Sequence, residues 1–306
     1  MARNKSTLQY IPLFLDYCES QLGLSQHTQV NYQRYLRKFQ EWLTRTKQTE
    51  LMPSELTIQH IREYKNFLAN TGDKKGRLLS PISQNYYLIA VRVLLRYFAE
   101  NNINSLSPTK IKLEKVPKKQ SEYLLREQVD KLLDMPNINT VSGLRDKAIL
   151  ELLFATGLRI SELVALNHNT FHTLHEENAM FEVANNGNMN RKVQLPKRAF
   201  DWIKKYLARR TDQQDALFIN YRGRLQPEKR LTARSIERIV KSYALKAGIP
   251  LSATPNALRH SYTQELIKQS ADIPHIQKAL GHKSITITQS YIHRQFHGGK
   301  NLQSQQ

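Results

Sequence analysis

The sequence predicts a mainly α protein in two parts, an N-terminal four-helix bundle and a C-terminal mixed α/β domain with a small antiparallel sheet. Three observations carry that expectation. Apolar residues recur at helical spacing through the first hundred positions, a lysine- and proline-bearing stretch without such periodicity follows, and the second half interrupts its helical segments with one turn-rich pair of short apolar runs. A chain of 306 residues also fits two domains of about 100 to 200 residues better than one large core.

The first stripe is Leu8, Ile11, Leu15, Cys18 and Leu22. The second runs from Ser25 to Thr46, where Tyr32, Leu36, Phe39 and Leu43 share a face widened by Trp42, and Ser25 or Thr28 is available as an N-cap. Ile58, Ile61, Tyr64 and Leu68 form the third, and Ile82, Ile89, Val93 and Phe98 the fourth, among Arg92 and Arg96. Four amphipathic helices make a small bundle. Asp73-Lys74-Lys75-Gly76-Arg77 reads as a basic loop. Residues 101–120, with Pro108, Pro117 and five lysines, read as a linker. The expected division is a helical domain over 1–105, a basic linker over 106–122 and a second domain over 123–306.

In the second domain, 126–133 and 144–155 are predicted helices, with Gly157 as a stop, and a short helix begins near Arg159. The runs 180–184 and 192–195 flank Asn185-Asn186-Gly187-Asn188, a hairpin signal. Helices are then expected over 198–209, 233–247, 257–269, 273–280 and 285–296, with a frayed end after Gly298.

Composition narrows the function. Lys plus Arg number 46 against 26 Asp plus Glu, a formal charge of +20, more than solubility requires. Residues 1–120 hold 19 basic and 9 acidic side chains, so the excess is divided evenly between the two halves. An even spread fits two folded pieces touching one polyanion better than a flexible basic arm does. A hydrophobic content of 40% excludes global disorder. The apolar runs fall short of a membrane span and the first residues lack an apolar signal core, so the expected location is the cytoplasm. The lone Cys18 allows neither an internal disulfide nor a cysteine zinc site.

The parts of nucleotide hydrolysis, two-metal nuclease and serine-hydrolase chemistry are missing: there is no glycine-rich phosphate loop, Asp-rich pair or Gly-x-Ser-x-Gly elbow. The second domain instead offers Arg159 after Ala155-Thr156-Gly157-Leu158, Arg259 in Asn256-Ala257-Leu258-Arg259-His260, His282 after Leu280-Gly281, and Tyr291 nine residues on. Together they suit metal-free phosphoryl transfer. Two guanidinium forks neutralise the non-bridging oxygens of a phosphodiester, a tyrosine hydroxyl stores the bond as a phosphotyrosine ester, and a histidine positions or deprotonates the phenol. Taken singly, each is an ordinary residue: a helix-start arginine, a turn histidine, a half-buried tyrosine. His293 and His297 lie four apart but lack a third ligand, and a solvated tail is the expectation there; no metal and no cofactor is expected.

Ala-Thr-Gly-Leu-Arg-Ile-Ser-Glu-Leu at 155–163, Leu-Arg-His-Ser-Tyr at 258–262, and Leu-Gly-His followed by Tyr291 resemble the tyrosine recombinases, the phage-integrase and Xer group. The resemblance covers effectively the whole chain and implies a core-binding bundle, a basic linker and a catalytic domain of tyrosine-recombinase type. It makes Arg159 and Arg259 the arginine clamp, His282 the second-site histidine and Tyr291 the nucleophile, with His260 a structural neighbour. Two positions depart. Asn256 stands where the family usually has histidine; its amide donates to a phosphate oxygen but cannot shuttle a proton. The hairpin lysines are absent, with Asn186 and Met189 in the run that usually reads Gly-Lys-Gly-x-Lys-x-Arg. That lysine is the family's general acid for the leaving 5′ oxygen, and Lys192 is the expected substitute, since Arg191 holds its proton too tightly.

The resemblance implies a site-specific recombinase that cuts and rejoins double-stranded DNA through a 3′-phosphotyrosine, assembles as a tetramer on two DNA sites, and needs no membrane, small-molecule substrate or energy cofactor. Asn256 and Asn186 keep open a catalytically impaired DNA-binding relative acting as an architectural or regulatory partner. A monomeric nicking and resealing enzyme that relaxes supercoils uses the same residues. A helix–turn–helix over 272–291, with Gly281 in the turn, is the non-enzymatic alternative, and it leaves Arg159 and Arg259 without a purpose.

Overall fold

The computed structural model describes residues 5–72, 76–117, 123–176, 179–185, 188–221, 229–250, 252–269, 271–282, 284–286 and 288–289. It divides into two compact units, 1–119 and 120–306.

The first unit is built from α1 (Thr7–Ser20), α2 (Gln26–Arg45), α3 (Ile58–Ala69) and α4 (Pro81–Glu100). Hydroxyl caps set the starts of the last three: Ser25, Thr57 and Ser80 accept from the backbone N–H groups of Thr28, His60 and Ser83. Pro81 in the first turn of α4 sits where a missing N–H costs nothing. The core is aromatic, with Phe14, Phe39, Trp42, Tyr64 and Phe98 almost wholly buried. Phe39 meets Tyr64 edge-on at 5.0 Å between ring centroids and stacks on Trp42 at 5.5 Å.

Three details differ from the sequence expectation. α1 ends at Ser20, so Leu22 lies beyond it and is exposed. On α4 the buried face is Leu88, Val91, Leu94, Leu95 and Phe98, while Ile82 is exposed and Ile89 and Val93 are only partly covered. That helix packs against α1, α2 and α3, so apolar residues fill most of its circumference and its stripe is ambiguous by periodicity. The stretch taken as a linker is in good part ordered structure of this unit. A 3-10 turn at Pro108–Lys110 puts Ile111 in the core, Asn85 and Glu114 exchange two hydrogen bonds of 3.0 Å, and Lys65 pairs with Glu114 at 3.1 Å.

The second unit contains α5 (Arg126–Asp134), α6 (Val141–Thr156), α7 (Ile160–Ala165), α8 (Asn169–His172), β1 (Met180–Asn185), β2 (Asn188–Gln194), α9 (Lys197–Leu207), α10 (Ala233–Lys246), α11 (Pro255–Lys268) and α12 (Ile273–Leu280). The central element is α6, buried on every side from Gly143 to Leu153, with α5, α9 and α11 packed around it. Its buried charges are all engaged. Arg145 bonds Asp146 and the Ile219 carbonyl, Tyr243 donates to Asp146, Lys147 reaches the Leu133 carbonyl at 2.7 Å, and Arg198 clasps Glu151. β1 and β2 pair antiparallel, with Phe181 opposite Val193, Glu182 opposite Lys192 and Val183 opposite Arg191. Phe181, Val183 and Val193 face the core; Glu182 and Lys192 face out.

Candidate active site

The site is organised around the C-terminal end of α12. An α-helix leaves its last carbonyls without partners inside the helix, and that end carries partial negative charge. Here three arginines from three other elements take three successive carbonyls. Arg191 on β2 donates from Nη1 to Ala279 at 2.8 Å, Arg259 on α11 donates from Nη2 to Leu280 at 2.6 Å, and Arg159 at the start of α7 donates from Nη2 to Gly281 at 2.8 Å.

Local sequence explains each placement. α6 stops at Gly157 in the left-handed conformation, φ +57°, and the chain turns into α7 with Arg159 as its N-cap residue. A side chain at 157 would put its Cβ 2.4 Å from Tyr262, so glycine is required for packing as well as for φ. The Gly157 carbonyl also accepts from Arg259 Nη1. Thr254 caps α11 by accepting from Ala257 N–H at 3.0 Å, with Pro255 in the first turn; Asn256 is exposed there and Arg259 follows one turn later, 5% exposed. α12 closes on Gly281, φ +61°, after which His282 turns back so that its N–H donates to the Gln277 carbonyl at 3.1 Å.

One carboxylate links two of the arginines. Glu162, nearly buried, accepts from Arg159 N–H at 2.7 Å and Arg191 Nη2 at 2.9 Å with Oε2, and from Arg159 Nη1 at 3.0 Å with Oε1. Three guanidiniums against one carboxylate leave the cluster positive. Its exposure is graded: the Arg159 side chain is 35% exposed, that of Arg191 only 9%. Arg159 is the fork open to a ligand.

His282 is buried beside these cations, with Nδ1 3.0 Å from the hydroxyl of Thr288. Burial first, then Arg259, Arg159, Arg191 and His260, push its pKa down to about 4, so the ring is neutral at physiological pH. Burial raises the Tyr262 phenol, with Arg191 and Arg259 pulling it back, which keeps that hydroxyl protonated.

The structure thus gathers Arg159, Arg259 and His282. Lys192 is not among them: one residue beyond Arg191, it points to the opposite face of β2 and is exposed across from Glu182. Asn256 stands on the exposed first turn of α11. Tyr291, Asn186, His293 and His297 lie outside the described residues. The helix–turn–helix alternative does not account for the way α12 is tied down by three arginines. Sequence reasoning passed over Glu162 and Thr288; a glutamate three residues after Arg159 at a helix start was the available signal for the first. Among the described residues, no group of three or more His, Cys, Asp or Glu side chains could hold a metal ion, and no helix is long and apolar enough to cross a membrane.

A helical bundle followed by a mixed domain with a small hairpin and an arginine–histidine cluster defines the tyrosine-recombinase class of fold. The chain belongs to the phage integrase family: the model of that family matches residues 122–297, and that of the phage integrase SAM-like domain matches residues 9–115. The chain is 33% identical over 287 residues to tyrosine recombinase XerD of Lacticaseibacillus casei, covering 92% of each. It is 34% identical to tyrosine recombinase XerC of Myxococcus xanthus, covering 91% of this chain and 90% of the relative. Its fold is similar to that of XerH site-specific recombinase bound to difH substrate, with TM-score 0.72, 20% identity and 98% of both chains covered. A lambda integrase dimer bound to a core site is similar at TM-score 0.68 and 16% identity, over 93% of this chain and 76% of that one.

Proposed function

We propose that this protein is a site-specific DNA recombinase that cuts and rejoins strands through a 3′-phosphotyrosine on Tyr291. The observation that supports the reading most is the gathering of Arg159, Arg259 and a neutral His282 around the end of α12. A phosphodiester seated at the open fork of Arg159 meets positive charge held in place before it arrives, which favours the more highly charged transition state. The Nδ1 of the neutral imidazole lies 3.0 Å from the Thr288 hydroxyl, which orients the ring, and in the tautomer that carries its hydrogen on Nε2 that N–H donates a hydrogen bond to a phosphate oxygen. Asn256, exposed on the first turn of α11, is a further amide donor available to the phosphate. The Tyr291 oxygen attacks phosphorus and gives up its proton to water, the bond to the 5′ oxygen breaks and that oxygen takes a proton from water, and the 5′ hydroxyl of a partner strand attacks the phosphotyrosine to reverse the step.

Against Lys192 as the general acid stands the alternation of β2, which leaves it exposed on the face opposite the arginine cluster. The partner in this reading is double-stranded DNA, held by a chain of formal net charge +20, with four protomers on two sites and the reaction in the cytoplasm. A nicked suicide duplex traps the covalent complex. The expected result is a denaturant-resistant protein–DNA adduct that Tyr291→Phe abolishes, and sequencing the trapped DNA identifies the target. Salt-sensitive binding with no adduct on any substrate supports the impaired DNA-binding relative instead, which Asn256 and Asn186 favour. Relaxation of supercoiled DNA by the monomer supports the nicking and resealing enzyme.

A further inference from the structure

We infer that Arg191 is a positioning residue for strand cleavage: its guanidinium locks Glu162 to the end of α12 and thereby sets where the Arg159 fork points. The inference rests on the recombinase reading and adds to it a residue on the hairpin that does not itself meet the phosphate.

Four observations carry it. Arg191 joins three separate pieces of chain, with its backbone on β2 opposite Val183, Nη2 on the Glu162 carboxylate and Nη1 on the Ala279 carbonyl. Glu162 and the carbonyl of Gly281, two residues beyond Ala279, are what hold Arg159, through Nη1 at 3.0 Å and Nη2 at 2.8 Å. Arg159 and Arg191 therefore share one carboxylate and one helix end, and moving either support moves the open fork. The packing is tight: a Cβ at Gly281 would fall 2.6 Å from Arg191 Cδ and 2.7 Å from Nε, so the absent side chain at 281 makes room for this arginine. Finally, Arg191 Nε is buried and has no hydrogen-bond partner among the described residues. A side chain that leaves one donor unpaired while both terminal nitrogens are engaged is held by its ends, as a spacer of fixed length.

A lysine cannot replace it. An ammonium is a point donor and does not span a carboxylate on one side and a carbonyl on the other in a single plane. Without the spacer, the Glu162 carboxylate loses the second of its two cations and draws closer to Arg159, and Arg159 turns from the phosphate toward it.

The test measures adduct formation on a nicked suicide duplex at saturating DNA, together with DNA affinity by gel shift and thermal unfolding. It uses the full-length wild type, Tyr291→Phe, Arg191→Gln, Arg191→Lys, Glu162→Gln and the Arg191→Gln/Glu162→Gln double variant. A displacement of about 1 Å costs on the order of a hundredfold in rate, which is the expected loss for Arg191→Gln, with affinity changed less than about threefold. Arg191→Lys stays slow despite its charge, and the double variant is no slower than Arg191→Gln alone, because both changes act through the same carboxylate. Should Arg191→Gln fail to fold, Arg191→Lys carries the same prediction. Cleavage at the wild-type rate by either Arg191 variant, a loss confined to DNA affinity, or losses that multiply in the double variant overturns the inference. A wild type that forms a Tyr291-dependent adduct while Arg191→Gln is unimpaired sinks the positioning role alone. A wild type that forms none sinks the recombinase reading and this inference with it.

Discussion

The two units bury different things. In the first, the interior is aromatic and aliphatic, and among the described residues Ser6 and Thr7 are buried polar ones, with the Tyr64 hydroxyl also out of water. In the second, Arg145, Asp146, Lys147, Glu151, Glu162, Arg259 and His282 are all nearly inaccessible. Taking charges out of water is costly unless every one is paired, and removing one partner strands the other. The first unit is therefore specified by shape and area, the second by a network in which the position of each charge depends on several others. The contrast bears on the chemistry: buried cations aimed at carbonyl ends are a preorganised anion site, whereas the first unit's described buried residues include no charged side chain.

Substitutions in each unit break the contrast in opposite ways. The largest stability effect belongs to the aromatic core. Trp42→Ala is expected to cost about 3–5 kcal/mol, seen as a lower transition in calorimetry, because the indole packs between Phe39 and Tyr64. Next comes Arg259→Ala, expected to slow adduct formation by about 10²–10³-fold, or roughly 3–4 kcal/mol in the barrier, measured in single-turnover cleavage. It also frees the Gly157 and Leu280 carbonyls, so a loss of stability accompanies the loss of rate. If Arg259→Ala cleaves normally, the buried cations are structural only and the contrast loses its functional meaning.

The pH dependence of folding sharpens the comparison further. His282 has its pKa lowered to about 4 in the folded state against 6.5 for the free side chain. In that window the unfolded chain binds the proton more readily, so the stability due to the neutral ring is complete above about pH 6.5 and is lost as pH falls toward 4. The loss amounts to at most about 3 kcal/mol. Urea titrations at pH 7 and pH 5 should show it in the wild type, and His282→Gln should flatten it. Gly157→Ala is expected to cost about 2 kcal/mol from left-handed backbone strain and the collision with Tyr262, read from denaturant midpoints. The smallest effect is at Lys192→Ala: less than about threefold in cleavage rate, as an exposed side chain outside the arginine cluster requires. A hundredfold loss there would return Lys192 to the general-acid role.

Much of the first unit was legible because amphipathic helices advertise their buried face by spacing. Tyr64, Leu68, Leu36 and Phe39 fell where periodicity put them. Ile82, Ile89 and Val93 did not, because α4 is contacted from several sides and its own pattern does not select one. Residues 101–120 read as a linker by composition, yet Ile111 is buried and Glu114 is held by Asn85 and Lys65, 29 and 49 residues away in sequence, contacts that lysine-rich composition cannot register. At the candidate site, Arg159, Arg259 and His282 were legible as motifs. Their neighbours were not, since Glu162 and Arg191 look like an ordinary helix-start acid and an ordinary strand arginine until the fold brings them 2.9 Å apart.

The amino-acid sequence by itself determined the helical bundle, the hairpin, the basic charge and the residue types available for phosphoryl transfer, because these follow from periodicity, turn chemistry and composition, which are local. Only the tertiary structure decided which cations act together. Three arginines from α7, β2 and α11 converge on carbonyls 279–281 because a helix end offers unpaired acceptors in a fixed row, and the alternation of one strand sends Arg191 into that row and Lys192 out to solvent.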